Sequence, residues 1–382
     1  MAGAKLVILG GGFGGITAAL ALRKALDGNH AITLVDRRPT FMMGLRKLWV
    51  LAGRGTIGDG TRSLSALREK GIDLRQGTVT QIDPAARRVT TDAGALPYDY
   101  LVIALGAESR PDLVPGFSSS VFDLYDAVDV ERLAPRVKSF TAGRVVVGIL
   151  GVPYKCPPAP YEAALLLHDV FEQRGVRRAI QIAAFTPQPM SLPVVGTAGC
   201  AQVEGRLAAS GITFMPGRKV DRLEASTAIT EKGSIAADLF IAVPPHRPPA
   251  VIKNSGLQMT GEWLFADPAT MRTSDPRVYG VGDVIEIPLA NKMSLPKAGI
   301  FAESQAKVAA SHIASDIAGS RSPASFDGWG FCFIEIGNGQ AAKVQGHFTA
   351  PNGPQVEITA PSEAALKEKV EFERSRLTNW FS

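Results

Sequence analysis

Apolar positions along the chain fall into short unbroken runs that alternate with helical stripes. Lys5 to Leu9 reads as a buried strand, and Ile16 to Leu26 places Ile16, Ala19, Leu20, Leu22 and Leu26 on one helical face. Ile32 to Val35 is the second strand, and Leu101 to Leu105 repeats the strand pattern. A second unit begins at Arg144 to Leu150. It continues through a helix at Tyr161 to Glu172, a strand at Ile180 to Phe185, a helix around Ala201 to Ala209 and a strand at Asp238 to Val243. The chain returns to the first unit near Val278 to Asp283. Strands alternating with helices predict parallel sheets covered on both faces. After about Ser322 the pattern changes to short alternating strands, Phe331 to Ile336 and Ala341 to Phe348, and then a charged helix from Ser362.

The expected fold class is therefore α/β, with two Rossmann-like doubly wound domains plus a small C-terminal β/α segment. Residues 1–110 and 246–322 form the first domain, residues 111–245 the second, inserted one, and residues 323–382 the tail. A length of 382 residues agrees with more than one domain. Lys and Arg number 41 against 36 Asp and Glu and are interspersed with them, which predicts no nucleic-acid partner. The apolar run at Val145 to Val152 is far shorter than the roughly 20 residues that cross a bilayer, so any membrane contact is expected to be peripheral. Met1-Ala2-Gly3 runs straight into the first strand, which predicts no leader and a cytoplasmic location, with the inner face of the membrane left open. Three cysteines, Cys156, Cys200 and Cys332, are too few for a secreted disulfide framework, and they show no metal-ligand spacing with the five histidines.

Candidate chemistry starts at Gly10-Gly11-Gly12-Phe13-Gly14-Gly15, a G-x-G-x-x-G between a strand and a helix. Gly10 permits the tight turn, Gly12 lets a pyrophosphate approach the backbone, and Gly15 lets helix and strand pack closely. Asp36, followed by Arg37, ends the second strand about 20 residues on, where an acid accepts hydrogen bonds from an adenosine ribose. A dinucleotide is expected. The segments Leu101 to Ala107, with Ala104 and Gly106, and Val278 to Asp283, with Gly282 and Asp283, resemble the middle and distal FAD motifs of the two-dinucleotide-domain flavoproteins. That resemblance implies FAD, with Asp283 on its ribityl chain.

NADH-using members of that superfamily carry a second glycine fingerprint after the first strand of the inserted domain. Here that place reads Gly148 to Glu162, with prolines at 157, 158 and 160 that remove amide donors and restrict φ. Reduction by NADH is expected to be disfavoured. The same stretch, with Cys156 ahead of the prolines and the pair Tyr161-Glu162, resembles the active-site loop of the sulfide:quinone oxidoreductase and flavocytochrome c sulfide dehydrogenase flavoprotein family. Gly330 to Glu335, containing Cys332, resembles that family's other redox cysteine, and Pro296-Lys297-Ala298-Gly299 resembles the helix start beneath its flavin ring. The segment Phe41 to Leu45 carries no cysteine for covalent attachment, so non-covalent FAD is implied.

The resemblance implies a Cys156/Cys332 disulfide that takes sulfide, or a low-molecular-weight thiol or persulfide, and passes two electrons through FAD to a quinone. Glu162 is then a base for the sulfur proton, with an exposed helix-opening Glu as the plainer reading. Lys297 would stabilise negative charge on the reduced flavin, against the plainer reading of an exposed lysine. His246, near a strand end, has a proton-transfer and a packing reading, while Cys200 is expected to be a small buried hydrophobe. Ser362 is expected to cap the last helix, in which Leu366, Val370, Leu377 and Phe381 share a face. Three fates are open for that face: the headgroup layer, where it would deliver quinone, the body of the protein, or a second copy in a homo-oligomer. Competing functions are a sulfide dehydrogenase with a cytochrome c acceptor, a type II NADH:quinone oxidoreductase, and a flavin redox sensor that turns over slowly.

Overall fold

A computed structural model describes residues 3–382. Two five-stranded parallel sheets form its centre. In the first, the strands run in the order Val278–Gly280, Tyr100–Ile103, Lys5–Leu9, Ala31–Asp36, Asp73–Gln76. In the second they run Val121–Asp123, Leu239–Val243, Gly143–Ile149, Ile180–Phe185, Ile212–Met215. Every residue of Tyr100–Ile103 and of Leu239–Val243 is buried, as expected of interior parallel strands with both faces covered. The α/β class with two doubly wound sheets is thus observed.

Each sheet also carries a three-stranded antiparallel meander: Val79–Asp83, Arg88–Thr91 and Gly94–Pro97 in the first half, Val220–Glu224, Thr227–Thr230 and Gly233–Ala236 in the second. The apolar pattern did not announce these strands, because most of their residues are exposed or half-buried. The first helix spans Phe13–Ala25, one turn earlier than the periodicity predicts. Its opening turn contains Gly14 and Gly15, which carry no apolar signal although both are buried.

The tail forms the antiparallel sheet Trp329–Gly337, Gln340–His347, Gln355–Ile358 and the helix Glu363–Phe381. Ser362 caps that helix, its Oγ accepting from the Ala365 amide at 3.1 Å. The helix packs on the protein by a face that differs from the expected stripe. Its buried residues are Ala365, Lys369, Glu373, Leu377 and Trp380, whereas Val370 is 48% exposed and Leu366 and Phe381 are half-buried. The inward face is polar at two positions because buried acids and bases on other elements meet it.

Candidate active site

The glycine-rich turn lies at the C-terminal ends of the first sheet's strands, where ligands of such folds bind. Gly10 has φ +103°, and a Cβ there would stand 2.3 Å from the Ala104 carbonyl oxygen. A Cβ on Gly15 would come within 1.7 Å of the Gly10 carbonyl oxygen, so helix and strand touch through backbone alone. Beside Gly12 there is open space. Among the described residues, the amides of Phe13, Gly14 and Gly15 have no acceptor, leaving donors at a positive helix end for a phosphate. These observations fit the pyrophosphate of an FAD. Phe13 offers its amide only, since its ring packs on Phe41, Phe372 and Trp380.

Asp36 is 9% exposed, with Oδ2 accepting from the Gly11 amide at 2.6 Å and Oδ1 from the Arg38 amide at 2.8 Å. Those bonds aim the carboxylate at the turn. Arg37 pairs with Glu108 at 2.9 Å, two residues beyond Gly106. Gly106 is flanked by open space, and Gly282 donates its amide to Gln305 at 2.7 Å. Burial raises the Asp283 carboxyl above the usual range, while Lys155 and Lys297 pull it back. Lys297 is only 7% exposed, which removes the plain surface reading. Its ammonium donates to the carbonyls of Asp283 (2.9 Å) and Ile285 (3.0 Å) and lies 3.4 Å above the Trp263 ring, with burial lowering it to about 8. It fastens the Asp283 turn to the start of the helix Gly299–Ile317.

The counterpart loop of the second sheet is built differently. A Cβ on Gly148 would meet the Phe185 ring at 2.5 Å and one on Gly151 the Pro245 ring at 2.8 Å, so no open pocket faces these glycines. At the start of the helix Ala159–Gln173, the Ala159 amide donates to Cys156, and those of Tyr161 and Glu162 to Pro158. Pro160 has no amide hydrogen. The first turn therefore has no donor to spare for a second pyrophosphate.

The same loop presents Cys156. Its backbone is left-handed, φ +46°, and its amide donates to the Lys297 carbonyl at 2.8 Å, which ties it to the start of the helix Gly299–Ile317. Tyr125 clamps the loop from below, its hydroxyl donating to the carbonyls of Lys155 (2.5 Å) and Cys156 (3.2 Å). Cys332 comes from the strand Trp329–Gly337, which packs on the helix Ala159–Gln173. Both thiols are free, half-buried and packed against one apolar cluster. Burial pushes the Cys156 thiol up to about 12, with Glu162 adding to the rise and Lys369 opposing it. Burial also holds the Cys332 thiol well above its ordinary value, with Cys156 and Glu162 adding to the effect. Thiols in this chamber stay protonated unless a base removes the proton. Cys200 is buried and packs in the core, as its apolar reading expects.

Glu162 is 2% exposed, so the surface reading of this helix-opening residue is replaced by a buried one. Its carboxylate meets the Lys369 ammonium, which also lies 3.1 Å from Glu335. Glu335 in turn accepts from Trp49 Nε1 at 2.9 Å and pairs with Arg54 at 2.6 Å. The sequence reading takes Lys369, with Lys367, Arg374 and Arg376, as positive charge on the outer side of the last helix, but Lys369 is 2% exposed and points into the core; the Glu335 carboxylate, Trp49 and Arg54 were given no role from sequence. A carboxylate three residues after Cys332 in an otherwise apolar strand was the signal available for Glu335. Tyr161 is structural, its hydroxyl donating to the Ser191 carbonyl at 2.8 Å.

His246 is fully buried, edge-on to Tyr125. Its Nδ1 lies 3.1 Å from the Pro244 carbonyl, which can only accept, so the proton sits on Nδ1 and Nε2 is a bare acceptor without a partner. Burial lowers it to about 3, with Lys155 next in effect, and such an imidazole is a poor base at neutral pH. Lys47 and Lys155 approach the same chamber, and burial lowers both, Lys47 to about 8.

Comparisons with known proteins agree with this layout. A sulfide-quinone reductase of Aquifex aeolicus is 28% identical over 336 residues, covering 82% of this chain and 76% of that one. The mitochondrial sulfide:quinone oxidoreductase of Mus musculus is 25% identical over 300 residues, covering 74% and 66%. The solved structure of the sulfide:quinone oxidoreductase from Aquifex aeolicus superimposes with a TM-score of 0.89 at 25% identity, covering 99% of this chain and 91% of that one. The family described as pyridine nucleotide-disulphide oxidoreductase matches residues 4–306. A phosphate-ready turn in the first sheet, flanked by the Asp36 and Asp283 sites, and a family match across both sheets lead to one conclusion: the chain belongs to the pyridine nucleotide-disulphide oxidoreductase family and is a flavin-dependent oxidoreductase.

Proposed function

We propose that this protein is a sulfide:quinone oxidoreductase in which Cys156 and Cys332 form the sulfur-handling pair. The observation that carries the reading is the second loop, whose helix start has no free donor for a nicotinamide dinucleotide but presents Cys156 beside Cys332. The relatives named for sulfide and quinone support the same substrates. Residues 1–110 and 246–322 are taken as the FAD domain, 111–245 as the domain carrying Cys156, and 323–382 as the segment carrying Cys332. Gly10, Gly12, Gly14, Gly15, Asp36, Ala104, Gly106, Gly282 and Asp283 would line the FAD, with the amides of the first helix on its pyrophosphate.

In the oxidised state the pair is a disulfide. HS⁻ attacks one sulfur, the Cys–Cys bond breaks, and a sulfur–sulfur bond to the incoming atom forms, leaving a persulfide on one cysteine and a thiolate on the other. Glu162 accepts the proton that sulfide or its product releases. A second HS⁻ or thiol takes the sulfane sulfur, leaving both cysteines as thiolates, and re-forming their disulfide releases two electrons. FAD, when bound, would supply the acceptor for those two electrons and their route to quinone. Lys297 holds the Asp283 turn and the start of the helix Gly299–Ile317, whose N-terminal dipole favours the negative charge of a reduced flavin. FAD is held non-covalently, so denaturation should release it into the supernatant. No described helix is long and apolar enough to cross a membrane, and the exposed Val370 side of the last helix is left for peripheral contact.

The test is an anaerobic absorbance titration with sulfide in one cuvette and NADH in another. Bleaching by sulfide, reversed by a soluble quinone, is expected; bleaching by NADH alone overturns the reading. Cys156→Ser and Cys332→Ser should each retain FAD and lose sulfide-driven bleaching by at least about 100-fold, since neither can form the disulfide.

A further inference from the structure

The helix Glu363–Phe381 carries one ammonium into the core beside the thiol pair. Lys369 is 2% exposed, contacts Glu162, stands 3.1 Å from Glu335 and lies 5.4 Å from the Trp49 ring. Its two carboxylates are held unequally. Glu335 is also bonded by Trp49 Nε1 and Arg54, so it keeps a cation without Lys369. For Glu162, Lys369 is the one side-chain partner among the described residues. The charged and titratable groups that act on Glu162 and its thiol neighbours are Lys369 from the last helix, Glu335 and Cys332 from the tail strand, Cys156 from the loop, and Lys47 acting on Cys156. Of those, Lys369 is the cation in contact with Glu162.

We propose that Lys369 is the positioning residue of the site's proton acceptor: from the C-terminal helix it holds the Glu162 carboxylate by direct contact and favours its ionised form in the neighbourhood of Cys156 and Cys332. This rests on the reading of Glu162 as the acceptor of the sulfur proton. Burial raises the Glu162 carboxyl above its usual range even with Lys369 pulling it back and Glu335 adding to the rise, and without that cation the carboxylate becomes neutral, because its desolvation cost is not offset. In the proposed step a proton leaves sulfur and joins Glu162, and no electrons move with it. Lys369 then keeps Glu335 as its counter-charge, so neutralising Glu162 does not strand a buried cation. The catalytic chamber is thereby complete only when the last helix is docked.

Infrared spectroscopy and pH profiles of Lys369→Met, Lys369→Arg and Glu335→Gln holoenzymes test this. At neutral pH, K369M should show a protonated carboxylic C=O band that is absent from wild type and from the K369M/E162Q double variant. The acid limb of sulfide-driven flavin reduction should move up by about one pH unit or more in K369M, a roughly tenfold loss on that limb. K369R should restore it. Removing the Glu335 charge leaves the ammonium to Glu162 alone, so E335Q should move the limb down. A K369M protein without the band, or a limb that moves the same way in K369M and E335Q, overturns the proposal. Should K369M not load flavin, an unmoved or upward limb in E335Q overturns it instead. Failure of the sulfide reading shows separately, as wild-type flavin that sulfide does not reduce, while the infrared band still reports on Lys369.

Discussion

Gly12 and Gly15 lie three positions apart and look alike in sequence, yet a methyl group means different things at each. At Gly12 it enters open space, so Gly12→Ala should fold normally and bind FAD at least about tenfold more weakly, read from melting temperature and visible absorbance together. At Gly15 it would run into the Gly10 carbonyl, so Gly15→Ala should lower the melting temperature as well as flavin content. These two glycines stood out in the sequence because close backbone approach and close helix–strand packing need a residue without a side chain, and the two cysteines stood out only through resemblance. Lys369 was read as headgroup-facing charge rather than as a buried ion for the opposite reason. A lysine on a charged helix is ordinary, and only the tertiary placement of Glu162 and Glu335 beside it makes this one different.

Elements were legible where burial is complete on both sides and obscure elsewhere. Leu239–Val243 and Lys5–Leu9 follow directly from their apolar runs, whereas the two meanders alternate weakly and escaped detection. The last helix was found with its Ser362 cap, but its inward face was misassigned, because ion pairs seat it alongside apolar contacts: Lys369 with Glu162 and Glu335, Arg46 with Glu373, and Arg376 with Glu303. Burial alone would raise the Glu335 carboxyl, but Lys369, Arg54 and Trp49 outweigh it and hold the group below its usual range. A depressed carboxylate contributes stability above its unfolded value, about 4.3, and loses it as pH falls through the lower folded value. Glu335→Gln should therefore melt well below wild type at pH 7, toward the lower end of the about 3–5 kcal/mol for a broken buried pair, since Arg54 is half in solvent. The gap between the two proteins should close in acid, which a pH series of thermal melts will check.

At the scale of the whole molecule, each parallel sheet has an apolar core of its own, and the tail packs against both. Trp380 and Phe381 touch the Phe13–Phe41 pair at the phosphate turn, while Ile334 and Val344 join the core beneath the cysteine loop. Deleting residues 363–382 should thus cost flavin as well as sulfide reactivity, and absorbance after gel filtration measures the first independently of the second. The two parallel sheets and the change to short antiparallel strands after them were readable from the apolar pattern, but the bridging role of the tail was not, because it depends on contacts between residues hundreds of positions apart. Three of the four tryptophans are nearly buried, Trp49 under the Lys369 cluster and Trp380 against Phe13 at this junction and Trp263 under Lys297, while Trp329 is 41% exposed. The protein therefore carries its own optical gauge. Indole emission should be strongly quenched by energy transfer when the isoalloxazine is in place, and should brighten as the ring leaves, so flavin exchange can be timed without any added dye.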